Sequence, residues 1–301
     1  MNSTPHAHLA NSGPLERALV LYARRFPIQR GKLRIINKLW RVAARGKGTV
    51  RVAKLKYNDF EMPCDLREML QRQIFFFGTY FIEEEILDCW TALVDTARVI
   101  FDVGANAGIY SLAALARRQN LVVHAFEPTP EIAKRLRECV RLNDLTNQLI
   151  VHELAVSDRI GFAGLYRCRG ELGENEGMNY IGETTERDAE RVPTVRLDQF
   201  CQAEGIDRVD LVKVDVQGHE FSVLLGAEDL IKSRRLRTIF MELNWSADPS
   251  QACPAAGAIK YLAEHGYRFM DPRGVGKCRE PGDWILGLSD IVAQSEVASH
   301  A

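Results

Sequence analysis

The stretch "VIFDVGANAGIYS", Val99 to Ser111, places an acid inside an apolar run and then sets two glycines either side of an asparagine. The apolar run has the length of a buried strand, and "IYSLAALARR" after it has helical spacing. In an open parallel sheet, ligands bind outside the carboxyl ends of the strands. Gly104 and Gly108 fall where this strand gives way to its helix. Glycine reaches positive φ at such a turn and lets backbone approach a ligand closely. The helix N-terminus behind it offers unpaired amides to an anionic group. Glu127 closes the next strand, nineteen residues after Gly108. A carboxylate there accepts hydrogen bonds from both hydroxyls of a ribose and repels a 2′-phosphate, so the site suits an adenosine-containing ligand.

The spacing chooses among such ligands. The dinucleotide fingerprint is G-x-G-x-x-G, whose second glycine lets the backbone reach a pyrophosphate. Here the turn is G-A-N-A-G, one residue shorter, with Asn106 at its centre. Asn106 and the preceding Asp102 suit the amino and carboxylate groups of S-adenosylmethionine (SAM) better than a pyrophosphate. An NAD-dependent oxidoreductase is therefore disfavoured.

Outward from this turn the chain alternates strand and helix. "LVVHAF" (121–126) is a strand and "PEIAKRLRECVRL" (130–142) a helix, and "LIVHELAV" (149–156) is a third strand. "VDLVKVDV" (209–216) is a fourth, "HEFSVLLGAEDLI" (219–231) its helix, and "RTIFMELN" (237–244) a fifth. "YRFM" (267–270) and "DWILGLS" (283–289) supply an antiparallel edge. This alternation means an α/β fold with a mostly parallel sheet and helices on both faces. The Gly- and Glu-rich stretch from Arg169 to Arg187 is long for a simple connection and reads either as a mobile surface loop or as a lid over a site, expected to border the acceptor pocket.

Residues 1–14 read as a disordered tail, 15–97 as a helical and hairpin extension, and 98–301 as the ligand-binding domain. In the extension, Leu15, Ala18, Leu19, Tyr22 and Phe26 recur at helical spacing up to Pro27, and a second helix runs from Lys32 to Ala44. "TVRVAKLKYNDFEM" (49–62) is a hairpin turning at Asn58-Asp59, and "YFIEEEILDCWTALV" (80–94) a helix. Charge is uneven. From Arg17 to Lys56 there are thirteen Lys or Arg and no acid; with Glu16 the first 56 residues carry +12, and since the whole chain stands at −1, the remainder carries −13. Such a basic head fits an anionic membrane surface, or a helical cap docked on the acidic body with a homodimer contact, which is the preferred reading. No nucleic-acid motif accompanies it. The seven cysteines are odd in number and form no CxxC pair. Together with the lack of an apolar signal core or membrane-length run, they point to reduced thiols in the cytoplasm.

"FDVGANAGIYS", "AFEPTPE", "LAVSD" and "VDLVKVDVQGHEFSVLLGAEDLI" occur in the order and spacing of the FkbM-like SAM-dependent methyltransferases. The resemblance runs from about Phe77 to Trp245, and the block from Lys213 to Glu220 is specific to that family. It implies a Rossmann-like class I methyltransferase sheet and O-methylation of a hydroxyl on a sugar, glycan or other small natural-product acceptor. It also implies SAM binding by Asp102, Gly104, Ala105, Asn106, Gly108 and Glu127, with Ala155 and Val156 near the adenine. The family commonly has Glu where this chain has Gln217. The alternative from another class is a non-catalytic SAM- or nucleotide-binding regulatory or scaffolding protein.

An alcohol is a poor nucleophile while protonated, so O-methylation calls for a base or a metal. Asp215 closes the fourth strand, Glu242 and Asn244 the fifth, and His219 and Glu220 open the next helix. Asp215, His219, Glu220 and Glu242 are the candidate catalytic set, expected to converge where the methyl group is transferred. The preferred route has His219 as base without metal; the alternative is Mg²⁺ held by Asp215, Glu242 and Asn244. Against these stand plainer roles. Glu220 at a helix start complements the helix dipole, His219 is solvated, Lys213 pairs with an acid, and His124 and His152 are core or rim residues.

Overall fold

The computed structural model describes residues 12–26, 31–43, 48–170, 173–174, 178–182, 190–243, 254–273, 278–279 and 290–295. Two helices open it, α1 (Pro14–Arg25) and α2 (Lys32–Ala43), followed by the hairpin β1 (Val50–Lys54) and β2 (Glu61–Asp65). Asn58 and Asp59 take left-handed φ values of 52° and 55° between the strands, as turn chemistry demands. The expected tail is shorter than 1–14, because Pro14 already begins α1 and the Gly13 amide donates to Glu16 Oε2 at 2.8 Å. The rest of it, 1–11, lies outside the described residues.

Helix α3 (Met69–Phe77) was not anticipated. Seven of its nine residues are buried, Gln71, Arg72 and Gln73 among them, so its polar side chains mark no solvent face. A 3₁₀ turn (Phe81–Glu83) then leads into α4 (Glu84–Val94). The alternating part follows as β3 (Val99–Val103), α5 (Ile109–Arg117), β4 (Val122–Phe126), α6 (Pro130–Leu142) and β5 (Leu149–His152). Next come β6 (Ala155–Val156), β7 (Gly161–Tyr166), β8 (Arg169–Gly170), β9 (Gly173–Glu174), β10 (Tyr180–Gly182) and β11 (Glu190–Val195). The chain continues as α7 (Leu197–Glu204), β12 (Val209–Val214), α8 (Glu220–Gly226), α9 (Glu228–Lys232) and β13 (Leu236–Glu242). It closes with α10 (Pro254–Glu264), β14 (Tyr267–Met270), β15 (Cys278–Arg279) and β16 (Asp290–Ser295).

The main sheet has the order β15-β14-β16-β13-β12-β3-β4-β5. Strands β13, β12, β3, β4 and β5 are parallel, while β16, β14 and β15 pair antiparallel at one edge. From β3 the chain winds outward through β4 and β5, then returns to lay β12 on the other side of β3. That reversal is the topological switch point where α/β sheets open a crevice. The expected edge pairing holds for "YRFM", but its partner is Asp290–Ser295, whose Ile291, Val292 and Ala293 are buried. Residues 283–289 lie outside the described set. The expected third strand divides instead. Leu149–His152 stays in the main sheet, whereas Ala155–Val156 pairs with β11 in a second sheet of order β10-β7-β11-β6.

The extension is docked on this body. Trp40 and Ile36 of α2 and Leu19, Val20 and Ala23 of α1 join the same apolar core as Phe75, Trp90 and Leu112. Its basic side chains are partly structural. Arg51 pairs with the buried Glu16 at 2.9 Å, Lys32 Nζ donates to the Ala23 carbonyl at 2.8 Å, and Arg24 donates to the Phe75, Phe76 and Lys54 carbonyls. No helix among the described residues is long and apolar enough to cross a membrane.

Candidate active site

A cavity opens at the carboxyl ends of β3, β4, β12 and β13. Its wall includes Gly104, Ala105, Asn106, Phe126, Glu127, Ala155 and Val156 on one hand and Lys213, Asp215, Gln217 and Glu242 on the other. The extension contributes Met69, Leu70, Tyr80 and Glu83, α5 contributes Tyr110, and the Gly/Glu-rich segment contributes Met178 to Ile181. The other residues of that segment which were read as a lid, 171–172, 175–177 and 183–187, lie outside the described set.

The turn after β3 is built by close approach. Gly104 has φ +77°, and a Cβ on it would meet the Asp215 carbonyl oxygen at 1.9 Å. Gly108 has φ +84° and faces Leu136 Cδ1, which a Cβ would meet at 2.3 Å. Gly108 therefore packs α5 against α6 and is not in the cavity wall. Asn106 sits between them at φ 46°. Its amide donates to Glu127 Oε2 at 2.9 Å, and the Thr129 amide donates to Glu127 Oε1 at 2.8 Å. Two amides thus fix the carboxylate against the wall. The Asn106 side-chain oxygen is buried with no hydrogen-bond partner among the described residues, an acceptor left over for a donor from a ligand.

Asp102 is not in the wall. It is 1% exposed and accepts a 2.6 Å hydrogen bond from Ser111 Oγ in α5. Burial pushes its carboxyl upward, against the pull of neighbouring Lys213 and of Ser111. The acid inside the apolar strand thus ties β3 to the helix that follows it.

At the ends of β12 and β13, Lys213 Nζ donates to Asp215 Oδ2 at 2.7 Å and lies 4.3 Å from the Tyr110 ring centroid. Gln217 Nε2 donates to Asp215 Oδ1 at 2.9 Å and to Glu242 Oε2 at 3.1 Å. Asp215 and Glu242 also share a hydrogen bond. Burial would raise Asp215, but Lys213 and the hydrogen bonds from Glu242, Lys213 and Gln217 hold it low. Burial and the charge of Asp215 push Glu242 far up, so the pair keeps one proton, on Glu242. Burial works against Lys213 too, yet Asp215 and Asp102 hold its ammonium charged.

Of the four expected catalytic groups, the structure brings Asp215 and Glu242 together. His219 and Glu220 are not in the cavity wall. His219 Nε2 is 3.0 Å from Ser157 Oγ, and Glu220 Oε1 accepts the Gly218 amide at the start of α8. Gln217 at φ 53° and Gly218 at φ 98° turn the chain away from the cavity just before that helix. Asn244 lies outside the described residues. Among the described residues no group of three or more His, Cys, Asp or Glu is placed to hold a metal ion. His124 and His152 stack at 3.0 Å between Nδ1 and Nε2, amid Phe101, Phe126 and Phe200. Sequence reasoning missed Tyr80, Glu83 and Tyr110. The only local signal was a triple-glutamate helix start whose first member, Glu83, caps nothing.

The chain is similar to known methyltransferases. The profile of the methyltransferase FkbM domain matches residues 102–269. The chain is 29% identical over 195 residues to the 2-O-methyltransferase NoeI of Sinorhizobium fredii, covering 59% of this chain and 76% of that one. It is 31% identical over 157 residues to the 31-O-demethyl-FK506 methyltransferase FkbM of Streptomyces tacrolimicus, 44% of this chain and 60% of the other. Against the AMB antimetabolite synthetase AmbE of Pseudomonas aeruginosa it is 30% identical over 202 residues, 56% of this chain but 9% of that protein. Among solved structures, an O-methyltransferase from Bacillus cereus in complex with SAH superposes with a TM-score of 0.40 at 12% identity, over 70% of this chain and 79% of that one. The profile match takes in more than half of the chain, from the acid of β3 to the strand β14, and on that extent the protein belongs to the FkbM methyltransferase family.

Proposed function

We propose that this chain transfers a methyl group from SAM to a hydroxyl of a sugar, glycan or other small natural-product acceptor. One observation carries the reading: a single cavity is walled both by Glu127 with the Gly104–Asn106 turn and by the Lys213, Asp215 and Glu242 cluster. The residues present fit SAM. Glu127 accepts from ribose hydroxyls, the unpartnered Asn106 oxygen accepts from an ammonium, and Phe126, Leu154, Ala155 and Val156 give an apolar wall for adenine. When bound, SAM supplies an electrophilic methyl group. The chain's own part is positioning, which lowers the barrier by holding acceptor and donor together, and proton handling by carboxylates rather than by His219. Lys213 and Gln217 fix Asp215 and Glu242 in one arrangement.

Isothermal titration with S-adenosylhomocysteine (SAH) tests this. SAH should bind and NAD should not. Glu127→Ala should weaken SAH by roughly 1–3 kcal/mol, the range for losing charge-assisted hydrogen bonds. Glu127→Gln, which keeps an acceptor for one of the two amides, should lose less. Equal SAH affinity in all three proteins would remove Glu127 from the donor site.

A further inference from the structure

Glu83 stands at the N-terminal end of α4 but makes no side-chain cap to that helix. Its carboxylate turns instead to Tyr110, whose hydroxyl donates to Oε2 at 2.8 Å. The two come from segments 27 residues apart and meet in the cavity wall beside Tyr80, Lys213 and Asp215. Tyr110 is fixed from behind: Trp90 stands edge-on to its ring at 5.7 Å, and the Trp90 indole donates to the Tyr110 carbonyl at 3.0 Å.

The wall holds four carboxyl groups, and their commitments differ. Both oxygens of Glu127 are taken by backbone amides. Both oxygens of Asp215 are taken, by Lys213 and Gln217. Glu242 keeps the proton it shares with Asp215 and accepts from Gln217. Glu83 accepts one hydrogen bond through Oε2, and its Oε1 takes none among the described residues. Lys213, the cation of the wall, is engaged by Asp215 at 2.7 Å.

We propose that Glu83 is the general base of this site, and that with Tyr80 and Tyr110 it forms the acceptor subsite for an uncharged polyhydroxylated molecule such as a neutral sugar. The proposal rests on the O-methylation reading above. The acceptor hydroxyl oxygen forms the new C–O bond to the methyl carbon. The C–S bond breaks with its electron pair left on sulfur, and the hydroxyl proton passes to Glu83. The product is an ether, and Glu83 ends neutral. The half-buried Tyr80 ring offers apolar surface to the carbon side of a sugar ring, and the tyrosine hydroxyls and Glu83 offer polar partners to its hydroxyls. A carboxylate or phosphate on the acceptor would meet Glu83 and Asp215 with no unpaired cation among the lining groups. Burial raises the proton affinity of Glu83; Tyr110 and Lys213 oppose this, while Asp215 and Asp290 add to it, and Tyr80 faces the same carboxylate.

The test uses the full chain, methyl glycosides of neutral hexoses, and the matching uronates. Calorimetry on SAH-loaded protein should show neutral glycosides binding at least about tenfold tighter than uronates, the direction set by like charges. With SAM, Glu83→Gln should lower kcat by roughly 10²–10⁴, the usual worth of a general base. It should also remove the acid limb of the pH–rate profile and leave SAH affinity unchanged. Glu83→Asp, which keeps a carboxylate, should recover part of kcat, whereas a purely structural role would show no such recovery. Should Glu83→Gln fail to fold, Glu83→Asp and Tyr110→Phe carry the same comparison. Uronates bound as tightly as neutral glycosides, a Glu83→Gln kcat near wild type, or no turnover of any neutral glycoside by protein that binds SAH would each overturn the proposal. Failure of the wild type to bind SAH would overturn the methyl-donor reading instead.

Discussion

Gly104 is the residue on which the two halves of the cavity meet. Its positive φ is disfavoured for any residue with a Cβ, and the Asp215 carbonyl oxygen occupies the place a Cβ would take. Gly104→Ala must therefore strain the backbone, by roughly 1–2 kcal/mol, and push the β12 terminus away, which adds roughly 1–3 kcal/mol for overpacking. A fall of about 2–5 kcal/mol in unfolding free energy by urea titration is expected, together with weaker SAH binding. An alanine variant as stable as the wild type would mean that the turn relaxes without engaging Asp215. At this scale the sequence was informative where the cavity wall depends on a local pattern: the Gly-Ala-Asn turn and the acid closing the next strand both line it. It was misleading at His219. Nothing local shows that Gln217 and Gly218 turn the chain so that the imidazole meets Ser157 and not the cavity.

Among the elements, α1 is held to the hairpin by one buried ion pair. Glu16 is fully buried, caps the Gly13 amide and pairs with Arg51, which also donates to the Gly48 and Val50 carbonyls. Removing one partner leaves an uncompensated buried charge, worth roughly 3–5 kcal/mol. Glu16→Ala should lower thermal stability accordingly, and Glu16→Ala with Arg51→Met should recover part of the loss in calorimetric melts. A double variant no better than the single one would deny the pairing its role. Strands β3, β4, β12 and β13 were readable because each is a short apolar run bounded by turns. The division of "LIVHELAV" between two sheets was not, since both halves are equally apolar and only the partners differ: β4 for one, β11 for the other. Helix α3 escaped for the opposite reason. Its polar residues Gln71, Arg72 and Gln73 are buried with its apolar ones, so no polar face sets the helix apart in the sequence; Arg72 is inside, donating to the Leu66 and Arg67 carbonyls and to Asn37.

Across the whole molecule, acid stability follows from buried imidazoles. Burial and the neighbouring His152 hold His124 down to about 4, and burial also lowers His152 and His219. A depressed histidine is neutral in the fold but protonates more readily once unfolded. Its contribution is therefore present above the ordinary value of about 6.5 and is lost as pH falls toward the folded value. The raised carboxyls Glu83, Asp102 and Glu242 act in the reverse sense, losing their contribution as pH rises. A difference measurement separates the two: the stability advantage of wild type over His124→Gln should shrink between pH 6.5 and 4 in denaturant titrations. A constant gap would show that His124 keeps its ordinary proton affinity.

The cavity is walled from both sides of the domain boundary that sequence similarity draws. Met69, Leu70, Tyr80 and Glu83 precede residue 102, and Gly104 through Glu242 follow it. In genetic terms, a recombination breakpoint between codons 83 and 102 would exchange one wall of the chamber while leaving the family-matching segment whole. With the acceptor role proposed for Tyr80 and Glu83, two genes alike over that segment would encode enzymes that share a donor and differ in what they modify, and their divergence would be recorded upstream of the part by which they are recognised as kin.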